Sequence, residues 1–183
     1  MNSYIFQSKV FYCAGLASIV VFGASNSCAD AASTTSTATV ITPIAITKSA
    51  DLVFGQFAPS STGGTVTVST SGARTATGGA ILSTIGSTPT AAKFDIAGDN
   101  GATYSITWST AATLSDGTAA STTMALSNIS DFTGAGATSG EVVEGTLSGS
   151  GAQSIYLGGE LTVGASQADG NYIGDVTATV EYN

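Results

Sequence analysis

The sequence predicts an all-β protein, specifically an antiparallel β-sandwich of the immunoglobulin-like or pilin-like type. Thr, Ser, Ala and Gly make up more than half of the 183 residues, and only 9% of the residues are charged. Apolar and polar residues alternate with a period of two along several short segments, as they do in strands that bury one face. We therefore expect roughly seven to ten short strands, either complete in one chain or completed by a strand from elsewhere.

The first segment, residues 1–31, is predicted to be a secretory signal peptide. An apolar run over residues 10–24 is followed by Ala29-Asp30-Ala31, which has the small residues that a signal peptidase accepts. We place cleavage after the last of these three residues, with Ala29 or Ala24 as alternatives. An uncleaved anchor is the other interpretation, although the run is short for a membrane span. The protein is therefore expected to be exported, to the periplasm, the cell surface or an extracellular fibre.

Residues 32–48 are predicted to form either an N-terminal extension or the first strand of a sandwich domain over residues 49–183. The apolar alternation in this segment has one parity and includes Ala38, Val40, Thr42, Ile44 and Ile46. Pro43 interrupts the alternation, and because it has no backbone N–H it fits only an edge position or a bulge.

The middle of the chain predicts a β-hairpin with a buried face. Two alternating segments, 93–97 and 103–108, flank Gly98-Asp99-Asn100-Gly101, and Asn-Gly readily adopts the positive φ values of tight hairpin turns. We expect their shared apolar face to form core, with the residues Phe94, Ile96, Tyr104, Ile106 and Trp108.

The end of the chain predicts two further strands. Alternation over residues 155–163 continues across the pair Gly158-Gly159, which indicates a bulged or bent strand. A turn at residues 168–171 leads into a final strand, whose apolar face alternates with Thr and Glu residues. The members of that face are Val176, Ala178, Val180 and Tyr182.

The composition excludes most catalytic and cofactor chemistry. The sequence has no His, the commonest general base and metal ligand, and signal cleavage would remove both cysteines, Cys13 and Cys28. The net charge of −8 argues against binding to nucleic acid. The acidic turns at residues 99–100 and 169–171 lack the alternating acidic spacing of a calcium loop, so we interpret them as turns. We predict no catalytic, cofactor-binding or metal-binding residue, no enzymatic activity and no membrane span after cleavage.

Most of the predicted mature chain resembles an exported bacterial family known as domain of unknown function 4402. A typical matching stretch is Tyr156-Leu-Gly-Gly-Glu-Leu-Thr-Val163. The other stretches that carry the resemblance are residues 46–55, 63–68, 74–79, 91–94, 101–106 and 170–183. The likeness spans about residues 46–183 and implies no activity, because none is established for the family.

The C-terminal segment is also similar to fimbrial subunits of the chaperone–usher pathway, including the spore-coat-U type. Such subunits often end with a penultimate aromatic residue and a Gly fourteenth from the end, positions that Tyr182 and Gly170 occupy here. The resemblance implies that Val176, Ala178 and Val180 lie on a strand that pairs with a periplasmic chaperone or a neighbouring subunit.

Two functions fit these observations. The first is a non-catalytic structural subunit of a fimbria-like fibre, in which residues 38–46 donate a strand to the next subunit. Self-association, other fimbrial subunits and a periplasmic chaperone are then the expected partners. The alternative is a self-complete secreted β-sandwich that binds a carbohydrate or a cell-surface partner.

Overall fold

The computed structural model describes residues 30–86, 88–109, 112–118 and 122–183. The chain divides into two units, Met1–Ala38 and Thr39–Asn183. Within the first unit, the described residues 30–38 have exposed side chains and form no strand. The predicted signal peptide lies, up to residue 29, outside the described residues and stays a prediction.

The described residues of the second unit form twelve strands, and every pairing among these strands is antiparallel. The first six strands are β1 Ala45–Ala50, β2 Phe57–Ala58, β3 Gly64–Val68, β4 Arg74–Gly78, β5 Ile81–Leu82 and β6 Ala92–Ala97. The other six are β7 Thr103–Trp108, β8 Thr113–Ser115, β9 Thr123–Asp131, β10 Glu144–Thr146, β11 Ala152–Val163 and β12 Ala178–Tyr182. The described part of the chain contains no helix.

The long strand β11 organises a seven-stranded sheet. Tyr156 and Leu157 pair with β6 and β9 at once, whereas residues 159–161 pair with β3 and β9 at once. A strand has only two edges, so β6 and β3 follow one another along one edge of β11 and β9 occupies the other. β1 pairs with β6, β4 with β3 and β8 with β9, so these three strands end the sheet.

Gly158 is required where β11 changes partner from β6 to β3. A Cβ atom at this position would lie 2.2 Å from the carbonyl oxygen of Val68 and 2.8 Å from the carbonyl carbon of Ser69. Both are backbone atoms that cannot turn away, so only Gly allows β3 to approach this closely. The predicted strand with its Gly pair thus marks the centre of the sheet.

A three-stranded sheet, in the order β10-β7-β12, packs face to face against the β1–β6 part of the large sheet, and a two-stranded sheet joins β2 to β5. The predicted hairpin is therefore wrong in its pairing, because β6 and β7 lie in different sheets. Their apolar faces meet instead, with the Phe94 and Trp108 rings edge to face at a centroid distance of 6.0 Å. The physical reason is that each strand has one apolar face, which face-to-face packing buries more completely than edge pairing does.

The core consists of two clusters. The first core cluster lies between the two larger sheets and contains the five residues predicted above, with Ala92, Leu147, Ile155 and Leu157. The second core cluster lies under β3 and β9 and contains Phe54, Val66, Val68, Ala112, Met124, Leu126, Leu161 and Val163. These clusters and sheets confirm the predicted all-β antiparallel sandwich; its immunoglobulin-like or pilin-like type stays a prediction.

Candidate functional site: an open seam between two edge strands

The last strand, β12, is an edge strand with one unpaired side. Thr177 accepts a hydrogen bond from the backbone N–H of Ser109, and the N–H of Asn183 bonds to Thr103, so the odd-numbered residues of this segment face β7. In an antiparallel pair the intervening residues direct their backbone groups away from the partner. The backbone N–H and C=O groups of Ala178, Val180 and Tyr182 therefore point to the outer edge of β12. Their side chains are half-buried and pack on the first core cluster.

The first strand, β1, is an edge strand of the opposite sheet with the same arrangement. The backbone N–H of Gly98 donates to the carbonyl oxygen of Gly151, the residue directly opposite. Even-numbered residues of β6 therefore bond to β11, and odd-numbered residues bond to β1. It follows that Ala45 and Thr47 bond to β6, whereas the backbone groups of Ile46 point to the outer edge. The side chain of Ile46 is half-buried and packs on the first core cluster, as does that of Ile44.

We call the space between the outer edges of β1 and β12 the open seam. The two strands approach one another but do not pair, and no other strand among the described residues pairs with either outer edge. β1 runs away from the turn at residues 98–102 and β12 runs toward it, so they are antiparallel across the seam. Seven half-exposed apolar side chains over the shared core line the seam, namely Ile44, Ile46, Leu52, Val176, Ala178, Val180 and Tyr182.

Tyr182 closes one end of the open seam. Its hydroxyl donates to the carbonyl oxygen of Thr42 at 2.7 Å and accepts from the backbone N–H of Asp99 at 2.6 Å. Gly98 makes room for this contact, because a Cβ atom there would lie 2.3 Å from the tyrosine hydroxyl. The penultimate aromatic residue thus connects the start of the first strand, the β6–β7 turn and the last strand.

The predicted donor segment is divided by the structure. Ile44 and Ile46 are half-buried in the chain's own fold, and β1 spans Ala45–Ala50. Ala38, Val40 and Thr42 have exposed side chains, and that of Val40 is 96% exposed. The structure thus brings part of the predicted donor to the seam and leaves the rest free; whether these residues enter a neighbour stays a prediction.

The predicted pairing strand is also divided. Ala178, Val180 and Tyr182 lie on β12, and Val176 precedes it on the same apolar face. Gly170 is exposed and lies against Asp116, away from β12. Between them, Ile173 exchanges two backbone hydrogen bonds of 2.9 Å with Ser115 on β8. The part of the predicted strand that borders the seam is therefore its C-terminal half.

A second candidate site is a shallow cavity of about 540 Å³ on the outer face of β1, β6 and β11, which we call the polar hollow. Thr47, Asp95 and Ser154 form a row across the three strands, beside Ala97 and Ala152. The sequence does not indicate this site, because polar residues on the outward parity of a strand look the same whether or not they bind a ligand.

Asp95, the charged residue that lines the polar hollow, is bound by neighbouring groups. The Asp95 carboxylate accepts from Lys93 Nζ and from Ser154 Oγ, both at 2.7 Å. These two hydrogen bonds, chiefly that from Lys93, lower the pKa of Asp95 to about 2. The same contact with Asp95 raises the pKa of Lys93, whose Nζ also lies 5.9 Å from the centroid of the Tyr156 ring. The hollow can donate and accept hydrogen bonds but presents little uncompensated charge.

Two further features of the described residues concern metal binding and membrane spans. No group of three or more His, Cys, Asp or Glu side chains is placed to hold a metal ion. No helix that is long and apolar enough to cross a membrane occurs in the same part of the chain.

Comparison with known proteins places the chain by family. No curated protein and no solved structure matches the sequence. A family model described as a domain of unknown function, DUF4402, matches residues 44–182. The match begins at Ile44, next to the first residue of β1, and ends at Tyr182, the last residue of β12. It therefore includes every strand of the sandwich and both edges of the open seam, and the chain belongs to the DUF4402 family.

Proposed function

We propose that the protein is a non-catalytic exported subunit of a fimbria-like fibre, in which a segment of one copy fills the open seam of the next. The observation that carries the proposal is the seam itself, which has two unpaired strand edges over one apolar core. Exposed edges are an aggregation hazard that proteins usually cover, so an uncovered apolar edge favours a role in strand addition.

The segment proposed to fill the seam is residues 32–43, which we call the arm. Twelve residues in extended conformation span roughly 40 Å, more than the roughly 17 Å of a five-residue strand such as β12. The arm has no charged residue, so its insertion into an apolar seam does not bury a charge. The donor residues are then Ala38 and Val40, because the carbonyl of Thr42 is bound by Tyr182 of its own chain, while Ile44 and Ile46 line the seam that receives a neighbour's arm.

The energetics of strand addition fit the small size of these side chains. Affinity comes from a ladder of main-chain hydrogen bonds, and alternate side chains add specificity. Burying Val40 contributes about 1.5–3 kcal/mol before the cost of ordering the arm. The ladder on β12 must therefore supply much of the stability, which is where the backbone groups of Ala178, Val180 and Tyr182 are available.

The partners and location follow from this assembly. A subunit with an open seam needs a covering strand before it polymerises, so a periplasmic chaperone and other fimbrial subunits are proposed as partners beside further copies of this chain. The destination is the cell surface or an extracellular fibre. Strand addition requires neither a cofactor nor a catalytic residue.

The test compares residues 32–183 with residues 44–183, which retain every strand but lack the arm. We expect the longer form to assemble in a concentration-dependent manner in size-exclusion chromatography with light scattering. The shorter form should be a folded monomer that binds a synthetic peptide of residues 32–43, and the same peptide with Val40→Asp is the control. A monomeric longer form, together with no binding of either peptide, would contradict the proposal.

The polar hollow favours one other function, a self-complete module that binds carbohydrate. Asp95, Ser154 and Thr47 offer hydrogen bonds to hydroxyl groups. Titration of residues 44–183 with oligosaccharides, followed by NMR shifts of Lys93, Asp95 and Ser154, tests this alternative separately from assembly.

A further inference from the structure

The junction between the arm and β1 decides whether an arm can enter the seam of its own chain. The arm joins β1 at the end of the seam that Tyr182 closes, and the hydroxyl of Tyr182 holds the carbonyl of Thr42 at 2.7 Å. To pair with the outer edge of its own β1, the arm must reverse direction at residues 42–43.

The hydrogen-bond alternation of β1 fixes the register of such a reversal. The backbone groups of Ile46 face outward, and by the same alternation so do those of Ile44. A two-residue loop at 42–43 would pair residue 41 with residue 44 and residue 39 with residue 46. These are hydrogen-bonded positions of a tight antiparallel hairpin, so the edge of β1 itself would accept the arm.

The residues at the loop do not allow this hairpin. Tight two-residue hairpins use type I′ turns, with positive φ at both central residues, or type II′ turns, with positive φ at the first. The ring of Pro43 fixes φ near −65°, which excludes type I′. Thr42 is β-branched and precedes proline, so it is confined to extended conformations, which excludes type II′. Thr42 does not have positive φ in the structure; among described residues other than Gly, only Ser166 does.

Lengthening the loop to five residues would not rescue the fold-back. A five-residue loop over residues 39–43 would use up Val40 and Ile41, the two large apolar residues of the arm. The remainder, residues 32–38, consists only of Ala, Ser and Thr and would bury little apolar surface. The side chains of Val40 and Ile41 are 96% and 51% exposed, so neither is buried within its own fold.

We infer that Thr42 and Pro43 act as positioning residues that keep the arm out of its own seam, so that strand addition occurs between copies. This inference rests on the proposed function for its biological meaning. The contact with Tyr182 holds Thr42 at the end of the seam, and the Thr-Pro pair prevents the arm from turning back along β1. The interaction is then heterologous, arm to seam, and forms open chains rather than closed monomers.

The test replaces the junction by a turn that favours the hairpin. Thr42→Asn with Pro43→Gly supplies the Asn-Gly pair of type I′ turns, and Pro43→Ala is the control that removes the ring without favouring positive φ. Each is made in residues 32–183. A cysteine pair, Val40→Cys with Ala45→Cys, is introduced into all three backgrounds, because these positions would face one another as a non-hydrogen-bonded pair in the fold-back register.

We expect the Asn-Gly variant to form an intramolecular disulfide and to need at least a tenfold higher concentration to assemble. The wild-type junction and Pro43→Ala should form little intramolecular disulfide. An equal yield of intramolecular disulfide in all three backgrounds would overturn the inference, as would its absence from the Asn-Gly variant. The yield of intramolecular disulfide measures fold-back of the arm, and the molecular mass in solution measures assembly. If the wild-type junction fails to assemble but only Asn-Gly forms the intramolecular disulfide, the proposed function fails and the inference about the junction stands.

Discussion

The seven-stranded sheet ends in two contrasting edges, β4 and β1. At the β4 edge the exposed side chains are those of Thr75 and Thr77, and Arg74 binds the neighbouring segments to the sheet. Its guanidinium donates to the carbonyl oxygens of Phe54 at 2.7 Å, Gln56 at 3.0 Å and Ser83 at 2.7 Å. These residues flank β2 and β5, so the small sheet is held beside the β4 edge. At the β1 edge no described strand is bound. Its exposed side chains are Ala45, Thr47, Lys48 and Ser49, and the half-buried Ile44 and Ile46 pack on the first core cluster.

The contrast extends to the third end of the sheet. β8 is also covered, because Ile173 exchanges two backbone hydrogen bonds with Ser115. The same C-terminal segment that covers β8 then continues into β12 and borders the open seam. Among the described residues, hydrogen bonds of Arg74 and Ile173 tie other segments to the β4 and β8 ends, whereas no strand pairs with the outer edge of β1, as expected if that end serves a partner.

The largest expected effect concerns the core beneath the seam. Trp108→Ala should reduce the free energy of unfolding by about 3–5 kcal/mol, because it removes a buried ring that packs on Phe94 and donates to the Val142 carbonyl at 2.8 Å. Thr107→Ala, on the exposed face of the same strand, should cost far less. Equal losses in a denaturant titration would show that the seam does not rest on this core.

The next-largest effect is on assembly through the seam and not on folding of the core beneath it. Val180→Asp should weaken assembly by about 3 kcal/mol, roughly 100-fold, because the arm would cover an unpaired charge. The monomer should stay folded, since Val180 is only half-buried. Thr179→Asp places the same charge on the opposite face of β12 and is the control. Sedimentation velocity measures the assembly of both variants. Equal assembly of the two would contradict the comparison.

A smaller effect tests how the β4 edge is covered. Arg74→Met should cost about 1–3 kcal/mol of stability, because three carbonyl groups lose a charged donor. Seam-dependent assembly should be unchanged. Lys48→Met removes an exposed base whose ion pair with Asp51 is solvated, and its effect should stay within about 0.5 kcal/mol. Thermal unfolding of the two variants compares their losses of stability. Equal losses would show that Arg74 merely lies on the surface.

The smallest effect is at the polar hollow and depends on pH. The pKa of Asp95 lies at about 2, below that of an unfolded aspartate, so its ionised form stabilises the fold. That contribution is fully present above about pH 4 and is lost as pH falls through about 2. Asp95→Asn should therefore be less stable than wild type at pH 7, by a small amount since the group is solvated, and the difference should shrink between pH 4 and pH 2. A difference independent of pH would contradict this assignment.

The sequence predicted individual strands well because alternation is a local signal. β7 was predicted with its observed bounds, and β6 differs by one residue at its start. Which strands pair was not predictable from the same pattern, since Phe94 and Trp108 share a buried face whether their strands pair by edges or pack by faces.

The site was predicted only in part for a related reason. Val176, Ala178, Val180 and Tyr182 were recognised by alternation and by their position near the C-terminus. The contact of Tyr182 with Thr42 joins residues that are 140 apart in sequence, and no local pattern indicates it. The open seam arises from strand order alone, which depends on the long-range pairing of β11.

The central claim, that the outer edge of β12 is open and receives the arm, is tested most directly by backbone amide hydrogen exchange. In residues 44–183 alone, the amides of Thr179 and Glu181 should be protected by β7, and those of Ala178, Val180 and Tyr182 should exchange rapidly. Adding the peptide of residues 32–43 should protect these three amides while leaving Thr179 and Glu181 as they were. Protection of the three amides before the peptide is added, or rapid exchange at saturating peptide, would contradict the account.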